Sequence, residues 1–335
     1  MDLKQRLSSF RRSSIEKILT PQENQAKIDE VRKIIGPVAN KFPVMCSDAS
    51  IQRYLRARKN NAKKAAKMLK CSLKWRLEYK PEMIKWDDIA QEGALGRLYK
   101  ADYLDSQGRT VLVMRPAITS ASAAAGQIKY LVYCLENAIM TLSSKQQEQM
   151  VWLVDFQGWN KSCISLKITR ETAQILQDHY PERLGLAVMY NPPKVFESFW
   201  TMVKPFLEPK TFKKVIFAYP DNTKSLRMME ELFDKDKLES YFGGRNTVGW
   251  TLESFSKKMK DDDNKRMSNV SEGGVSTELI NESIQIDDNN SDDETSSCDT
   301  LGSTMGEDKE EINVKEGLDS PKPTILQKDE SGAKP

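Results

Sequence analysis

The sequence is poor in the residues that most catalytic and metal centres require. Its only histidine is His179, so a His-Glu-x-x-His zinc site, which needs two histidines, is excluded, and a histidine-based triad has a single candidate. The cysteines are odd in number, widely spaced and form no Cys-x-x-Cys pair, which is typical of reduced thiols in a cytosolic protein. They are Cys46, Cys71, Cys134, Cys163 and Cys298. We therefore expect no metal site.

Nucleotide-binding loops are also absent, since neither a Gly-x-x-x-x-Gly-Lys-Ser/Thr loop nor a Gly-x-Gly-x-x-Gly fingerprint occurs. The stretch from Cys163 to Arg170 superficially resembles a phosphatase loop, but it lacks the glycines that would form an anion nest. Asp155 ends a predicted strand shortly before Gly158, which suits a catalytic carboxylate and equally an ordinary turn former. We predict a binding protein with no catalytic residue and no cofactor.

No apolar run approaches the roughly 18 residues that a transmembrane helix needs. The N-terminus lacks the apolar core of a secretory signal, and Asp2 and Glu16 argue against a transit peptide. The expected localisation is cytoplasmic.

The charge is distributed unevenly along the chain. Residues 261–335 contain 20 acidic and 7 basic residues and no Phe, Trp or Tyr, so their net charge is −13 and residues 1–260 carry +16 of the total of +3. Low hydrophobicity with high net charge predicts that residues 261–335 are disordered. Residues 1–24 are basic and Ser-rich, and we expect them to be flexible.

The positive charge of residues 1–260 predicts an anionic partner, either nucleic acid or an acidic membrane surface. Neither zinc-finger spacing nor the aromatic-rich ribonucleoprotein signature occurs, and the aromatic residues recur at the spacing of helix cores. The sequence therefore favours a membrane surface over nucleic acid.

The most informative stretch runs from Tyr180 to Lys214. A predicted core strand, 186–190, must end at Asn191-Pro192-Pro193 because proline removes a backbone donor. The helix that follows has a broad apolar face, and its residues are Val195, Phe196, Phe199, Trp200, Val203, Phe206 and Leu207. It is either a core helix or a mobile lid. Charged residues frame this segment, and they suit an amphiphile with a polar head and oily tails. They are Glu182 and Arg183 before the strand and Lys210, Lys213 and Lys214 after the helix.

A second cluster of charge lies near the end of a helix that is predicted to be capped around Asp48. It consists of Arg53, Arg56, Arg58 and Lys59. Cations at a helix C-terminus are favoured by the helix dipole, and arginines also provide bidentate forks for a phosphate. Both interpretations remain open at this point.

The chain is helical in pattern from Pro21 to about Tyr79, with one amphipathic helix predicted over 62–79. Beyond Trp86 strands alternate with helices, which predicts an α/β fold with a largely parallel sheet. The predicted strands are 111–114, 150–156, 186–190 and 215–217, and the helices between and after them are 130–142, 165–177 and 223–233.

Seven short motifs occur in an order and spacing that resembles the CRAL-TRIO lipid-binding family, and within it the yeast-type phosphatidylinositol and phosphatidylcholine transfer proteins. They are LRARK at 55–59, KWR at 74–76, DFQG at 155–158, YPERLG at 180–185, NPP at 191–193, KPFLEPKT at 204–211 and FGG at 242–244. The resemblance implies a helical N-terminal subdomain, 25–80, docked on a lipid-binding α/β lobe, 86–250, with a gated hydrophobic pocket.

The resemblance also implies a phosphatidylinositol headgroup site. Arg58, with Lys59 beside it, is expected to contact the phosphate, Glu182 to accept inositol hydroxyls, and Thr211 and Lys214 to close around the head. The gate and acyl pocket are expected from Val195, Phe196, Phe199, Trp200, Val203 and Phe206.

One departure concerns the second ligand. Where phosphatidylcholine-binding members of the family carry two small hydroxyl residues on a strand, this chain has Met150 and Trp152. Bulky apolar side chains cannot donate those hydrogen bonds, so another lipid, such as a sterol, is expected in place of phosphatidylcholine.

The resulting hypothesis is a non-enzymatic, monomeric phosphatidylinositol-binding and transfer protein. It would exchange or present lipid at cytosolic, anionic membrane surfaces with transient membrane association, in phosphoinositide signalling or vesicle traffic, with phosphoinositide kinases as partners. The alternative is a lipid-responsive trafficking or signalling adaptor that works through its acidic tail.

Overall fold

The computed structural model of the chain describes residues 19–142, 148–163 and 165–272. All of them belong to one compact unit, Met1–Asn290, and the second unit, Ser291–Pro335, lies outside the described residues. The helical N-terminal part consists of α1 (Pro21–Ile35), α2 (Val38–Lys41), α3 (Asp48–Ala57) and α4 (Ala62–Tyr79). The helix predicted over 62–79 is therefore confirmed at both ends.

Helix α1 starts at Pro21 because Thr20 caps it. The Thr20 hydroxyl accepts a hydrogen bond from the Glu23 amide (3.2 Å), and the Glu23 carboxylate accepts one from the Thr20 amide (2.8 Å), which satisfies two otherwise unpaired backbone donors. The expectation that residues 1–24 are flexible is wrong for residues 21–24, which form the first turn of α1. Residues 1–18 lie outside the described residues, and the expectation for them stays a prediction.

The N-terminal helices surround a core of their own. Its fully buried side chains include Val31, Ile51, Leu55 and Leu69, which recur at helical spacing and bring α1, α3 and α4 together. Ser47, one residue earlier than predicted, caps α3, because its hydroxyl accepts a hydrogen bond from the Ser50 amide at 3.4 Å.

The rest of the fold is a five-stranded sheet with strand order β1-β2-β3-β4-β5, in which β1 is antiparallel and the other strands are parallel. The predicted α/β class with a largely parallel sheet is confirmed. In chain order the elements are α5 (Trp86–Gly93), β1 (Leu98–Leu104), β2 (Thr110–Met114), α6 (Ala124–Thr141), β3 (Met150–Asp155), α7 (Leu166–His179), β4 (Leu184–Tyr190), α8 (Phe196–Val203), α9 (Pro209–Lys213), β5 (Val215–Ala218), α10 (Thr223–Leu232) and α11 (Leu252–Glu272).

The helical part is fastened to the α/β part by a buried ion pair. Both guanidinium ends of Arg76 on α4 donate to the carboxylate of Glu136 on α6, each at 2.9 Å, and the Tyr180 hydroxyl donates to the same carboxylate at 2.6 Å. His179 stacks on Trp75 with ring centroids 4.2 Å apart. Burial, and then the charge of Arg76, lower the pKa of His179 to about 4, so the imidazole is neutral at pH 7 and belongs to this contact.

Helix α11 corrects the predicted start of the disordered tail. Residues 261–272 are helical, and Asp262, Asp263 and Arg266 are buried against the lobe. Asp262 pairs with Lys100 of β1 at 2.8 Å, and Asp263 accepts a hydrogen bond from the Trp86 amide at 2.6 Å, at the start of α5. Composition misled the prediction because each of these charges finds a specific buried partner. For residues 273–335 disorder stays a prediction.

We expect the substitution Asp262→Ala to lower the free energy of unfolding by about 3–5 kcal/mol, because it leaves the buried Lys100 ammonium without a carboxylate. The neighbouring variant Asp261→Ala removes an exposed carboxylate of the same helix and should change the free energy by less than about 0.5 kcal/mol. Denaturant unfolding of both variants measures the difference. Equal effects would contradict the docking of α11.

Candidate functional site

The predicted site residues Glu182 and Lys214 meet at the amino-terminal edge of the sheet. Lys214 immediately precedes β5, and Glu182 lies two residues before β4. These two strands are parallel neighbours. The Lys214 ammonium lies 3.3 Å from a Glu182 carboxylate oxygen, and the side chains are only 17% and 16% exposed. The structure thus brings together two charges that are 32 residues apart in the chain.

The backbone at Glu182 is unusual, because φ is 57°. A non-glycine residue in this left-handed region costs free energy and occurs where the surroundings require a particular side-chain position. This backbone conformation accompanies the ion pair of the Glu182 carboxylate with Lys214.

The other headgroup candidates have different surroundings. Arg58 ends α3 and pairs with Glu208 at 3.3 Å, and the Glu208 amide donates to Gln177 of α7 at 2.8 Å. Thr211 lies on α9, and its carbonyl accepts a hydrogen bond from the Lys214 amide at 3.0 Å. Lys59 is on an exposed turn with φ of 51° and makes no ion pair with any described residue.

A second group of charges adjoins the first, and its central residue, Glu148, was not indicated by the sequence. Arg53 and Arg56 of α3 contact the two carboxylate oxygens of Glu148 at 2.5 and 2.7 Å. Arg183 donates to the Glu148 carbonyl at 2.9 Å. The sequence predicts Arg53 and Arg56 either as cations at a helix end or as donors to a phosphate. Their partner is more than 90 residues away in the chain, so sequence spacing carried no signal for Glu148.

The predicted gate helix α8 is seated on the sheet through aromatic contacts. Phe196 is 3% exposed, and its ring lies 4.3 Å from that of Phe156 and 5.4 Å from that of Trp159. Trp200 packs against Phe217 of β5 at 6.0 Å and stacks on Phe212 of α9 at 5.8 Å. Two further predicted gate residues, Val195 and Phe199, pack on the same cluster. Val203 is buried, and the side chain of Phe206 lies outside the described part.

The two faces of the sheet are covered unequally. Val151, Leu153 and Val188, on the face away from α8, are completely buried. On the face that α8 covers, Met150, Val154 and Ala187 are buried as well, but four other residues of the central and last strands are only half-buried. They are Trp152, Met189, Val215 and Phe217. Since alternate residues of a strand share a face, these side chains form one apolar floor, which α8 covers incompletely.

The predicted second-ligand positions lie at one end of β3. Met150 is 1% exposed and therefore packed into the core. Trp152 is half-buried, and its indole nitrogen is buried without a hydrogen-bond partner in the described structure. Both side chains are large and apolar, and neither bears a hydroxyl.

The remaining candidates have structural roles. Asp155 is 2% exposed, and its carboxylate accepts a hydrogen bond from the Gln157 amide at 2.9 Å, as a turn former does. Among the described residues no group of three or more His, Cys, Asp or Glu side chains is placed to hold a metal ion. None of the described helices is long and apolar enough to cross a bilayer.

Comparisons with known proteins agree with this architecture. The CRAL/TRIO domain family matches residues 96–244, and the CRAL/TRIO N-terminal domain family matches residues 16–70. A CRAL-TRIO domain-containing protein of Schizosaccharomyces pombe is 34% identical over 195 residues, which are 58% of this chain and 18% of that protein. The phosphatidylinositol transfer protein PDR17 of Saccharomyces cerevisiae is 32% identical over 181 residues, 50% of this chain and 51% of that protein.

The chain thus spans about a fifth and about half of the length of these two relatives. It spans 78% of the SEC14 cytosolic factor of Eremothecium gossypii, which is 27% identical over 244 residues, or 68% of this chain. The crystal structure of Sfh5 superposes with a TM-score of 0.54 at 15% identity, covering 82% of this chain and 99% of that one. A likeness at this identity concerns the fold. With both family matches in the order that the fold shows, the chain belongs to the CRAL-TRIO family.

Proposed function

We propose that this protein binds one molecule of phosphatidylinositol and exchanges or presents it at cytosolic membrane surfaces, without catalysing a reaction. The observation that carries the proposal is the half-buried apolar floor under α8, which lies on the same sheet whose amino-terminal edge holds Glu182 and Lys214. An apolar floor next to a charged edge fits a lipid with a polar head. Two of the relatives are named phosphatidylinositol transfer proteins, PDR17 and CSR1.

Each headgroup residue offers a distinct interaction. The Glu182 carboxylate accepts hydrogen bonds from inositol hydroxyls, and the Lys214 ammonium and the Thr211 hydroxyl donate to the ring oxygens. The Arg58 guanidinium, which pairs with Glu208 at 3.3 Å, is a bidentate donor to the phosphodiester. Lys59 on the adjacent exposed turn adds positive charge where the phosphate approaches.

The acyl chains require that α8 moves. In this structure the Phe196 ring packs against that of Phe156, which directly follows β3, and Val203 is buried. Two chains with about 30 methylenes put on the order of 20 kcal/mol against extraction of the lipid into water. The protein must offer comparable burial, which the floor and the aromatic face of α8 supply together once α8 moves away. A membrane stabilises the open form because it solvates the apolar face of α8.

The second lipid is proposed to be something other than phosphatidylcholine. Met150 and Trp152 fill the positions where small hydroxyl side chains would be needed. A sterol or another apolar lipid needs fewer hydroxyl donors from the protein than phosphatidylcholine does.

The adaptor alternative concerns residues 273–335, which contain 16 acidic and 5 basic residues and lie outside the described residues. Roles in phosphoinositide signalling or vesicle traffic, and phosphoinositide kinases as partners, belong to the same proposal.

We expect Lys214→Ala and Glu182→Ala each to lower phosphatidylinositol transfer between vesicles by about 10-fold to 100-fold, because each removes a hydrogen bond to or from a charged group. The control variant Lys224→Ala removes an exposed lysine at the start of α10 and should transfer like the wild type. Wild-type rates in both site variants would refute the headgroup assignment.

The presence of Met150 and Trp152 on β3 leads to a prediction about which lipid the protein transfers. The protein should transfer phosphatidylinositol at least about ten times faster than phosphatidylcholine, the factor that corresponds to one missing hydrogen bond in a buried site. A transfer assay with each lipid labelled in otherwise identical donor vesicles measures the ratio. Comparable rates for the two lipids would contradict the role given to Met150 and Trp152.

A further inference from the structure

Three guanidinium groups converge on one residue, Glu148, beside the proposed headgroup site. Arg53 and Arg56 each contact one oxygen of Glu148, at 2.5 and 2.7 Å, and Arg183 donates to the Glu148 carbonyl at 2.9 Å. We call these four residues the Arg53 cluster. Three positive charges and one negative charge leave it with a net charge of +2.

The cluster adjoins the pair formed by Glu182 and Lys214. Arg183 directly follows Glu182, and the Arg183 carbonyl accepts a hydrogen bond from the amide of Met150, the first residue of β3. Glu148 lies two residues before that strand. Since neighbouring strands are about 4.8 Å apart, the cluster and the pair occupy adjacent positions along one edge of the sheet.

The charge excess is partly buried but open to solvent on one side. The Arg53 side chain is 11% exposed, whereas Arg56 and Glu148 are 38% and 34% exposed. Burial, followed by the like charge of Arg53, lowers the pKa of Arg183 to about 10. Burial raises the pKa of Glu148, but the guanidiniums of Arg56 and Arg53 more than offset that and hold it below its usual value. One arginine on the Glu148 carboxylate would be enough to hold α3 against the sheet, but two contact it, and Arg183 adds a third positive charge at the backbone carbonyl of the same residue.

We propose that the Arg53 cluster is a second anion subsite, which binds a phosphate monoester on the inositol ring, so that the lipid ligands include a phosphorylated phosphatidylinositol. The proposal rests on the proposed function, because it places the inositol ring against the pair formed by Glu182 and Lys214. A phosphate monoester carries a charge of about −1.5 to −2 near pH 7, which matches the +2 of the cluster. Arg56 is accessible to such a group, and Glu148 competes with it for the guanidiniums.

The test is a ratio of affinities measured with the full-length chain. Binding is compared on vesicles that contain either phosphatidylinositol or, in turn, each of its monophosphates at equal mole fraction. We expect at least one monophosphate to bind about tenfold more tightly than phosphatidylinositol, the factor that one charge-assisted hydrogen bond supplies. Arg56→Gln should bring this ratio close to one.

The variant Glu148→Gln distinguishes more directly between an anion subsite and a purely structural ion pair. Removal of the competing carboxylate should raise the ratio by about threefold or more, whereas a purely structural ion pair would lower the thermal midpoint and leave the ratio unchanged. The matched control is Glu230→Gln, which removes an exposed carboxylate paired with Lys235 at 2.9 Å and makes the same change in net charge. An equal rise in that control would assign the effect to general electrostatics and overturn the proposal.

Other outcomes are equally decisive. Phosphatidylinositol binding with no preference for any monophosphate would overturn the second subsite and leave the proposed function intact, whereas failure to bind either lipid would overturn both. Inorganic phosphate supplies the remaining arm. If it competes as well as the lipid at equal concentration, the subsite belongs to a free anion and the assignment to a headgroup fails.

Discussion

The parallel pairing of β3, β4 and β5 is the constraint on which the site depends. Parallel strands start at the same edge of a sheet, so residues that precede them in distant parts of the chain become neighbours there. Glu148, Arg183 and Lys214 precede the three strands in turn. Strand order brings Glu148 next to Arg183, and Lys214 next to Glu182, the residue before Arg183. Without it the cations would be spread over the surface with ordinary solvent screening.

The helical N-terminal part contributes to the same edge. Arg76 and Glu136 hold α4 against α6 through two hydrogen bonds of 2.9 Å, and Arg58 and Lys210 connect the end of α3 to the segment after α8. Because α3 bears the arginines and the segment around α9 bears Thr211, the contact between the two parts sets the geometry of the headgroup site. The proposed movement of α8 would therefore act on a segment that the proposed headgroup residues share, since Trp200 stacks on Phe212.

Much of the fold could be predicted from the sequence, since hydrophobic periodicity is local. Helix α4 was predicted at its observed bounds, and strand β3 to within one residue. Strand β1 was missed because Lys100 and Asp102 interrupt its apolar pattern, and Lys100 is buried only through its pairing with Asp262, 162 residues later. The same separation of 162 residues between Lys100 and Asp262 explains why the disordered tail was predicted to begin at residue 261, inside α11. Acidic composition argues for disorder unless a partner elsewhere in the fold receives the charges.

The candidate site likewise contains residues that local sequence motifs could indicate and residues that only long-range contacts bring together. Glu182, Thr211 and Lys214 could be proposed from short motifs, whereas the partners of Arg53, Arg56 and Arg58 depend on contacts that no local pattern encodes.

The central claim is that the apolar floor and the charged edge hold one inositol lipid. Mass spectrometry of lipids extracted from the purified protein, after incubation with vesicles of mixed lipids, tests it most directly. The account predicts phosphatidylinositol or its phosphorylated forms in about equimolar amount to the protein, and extracts with none of them would contradict it.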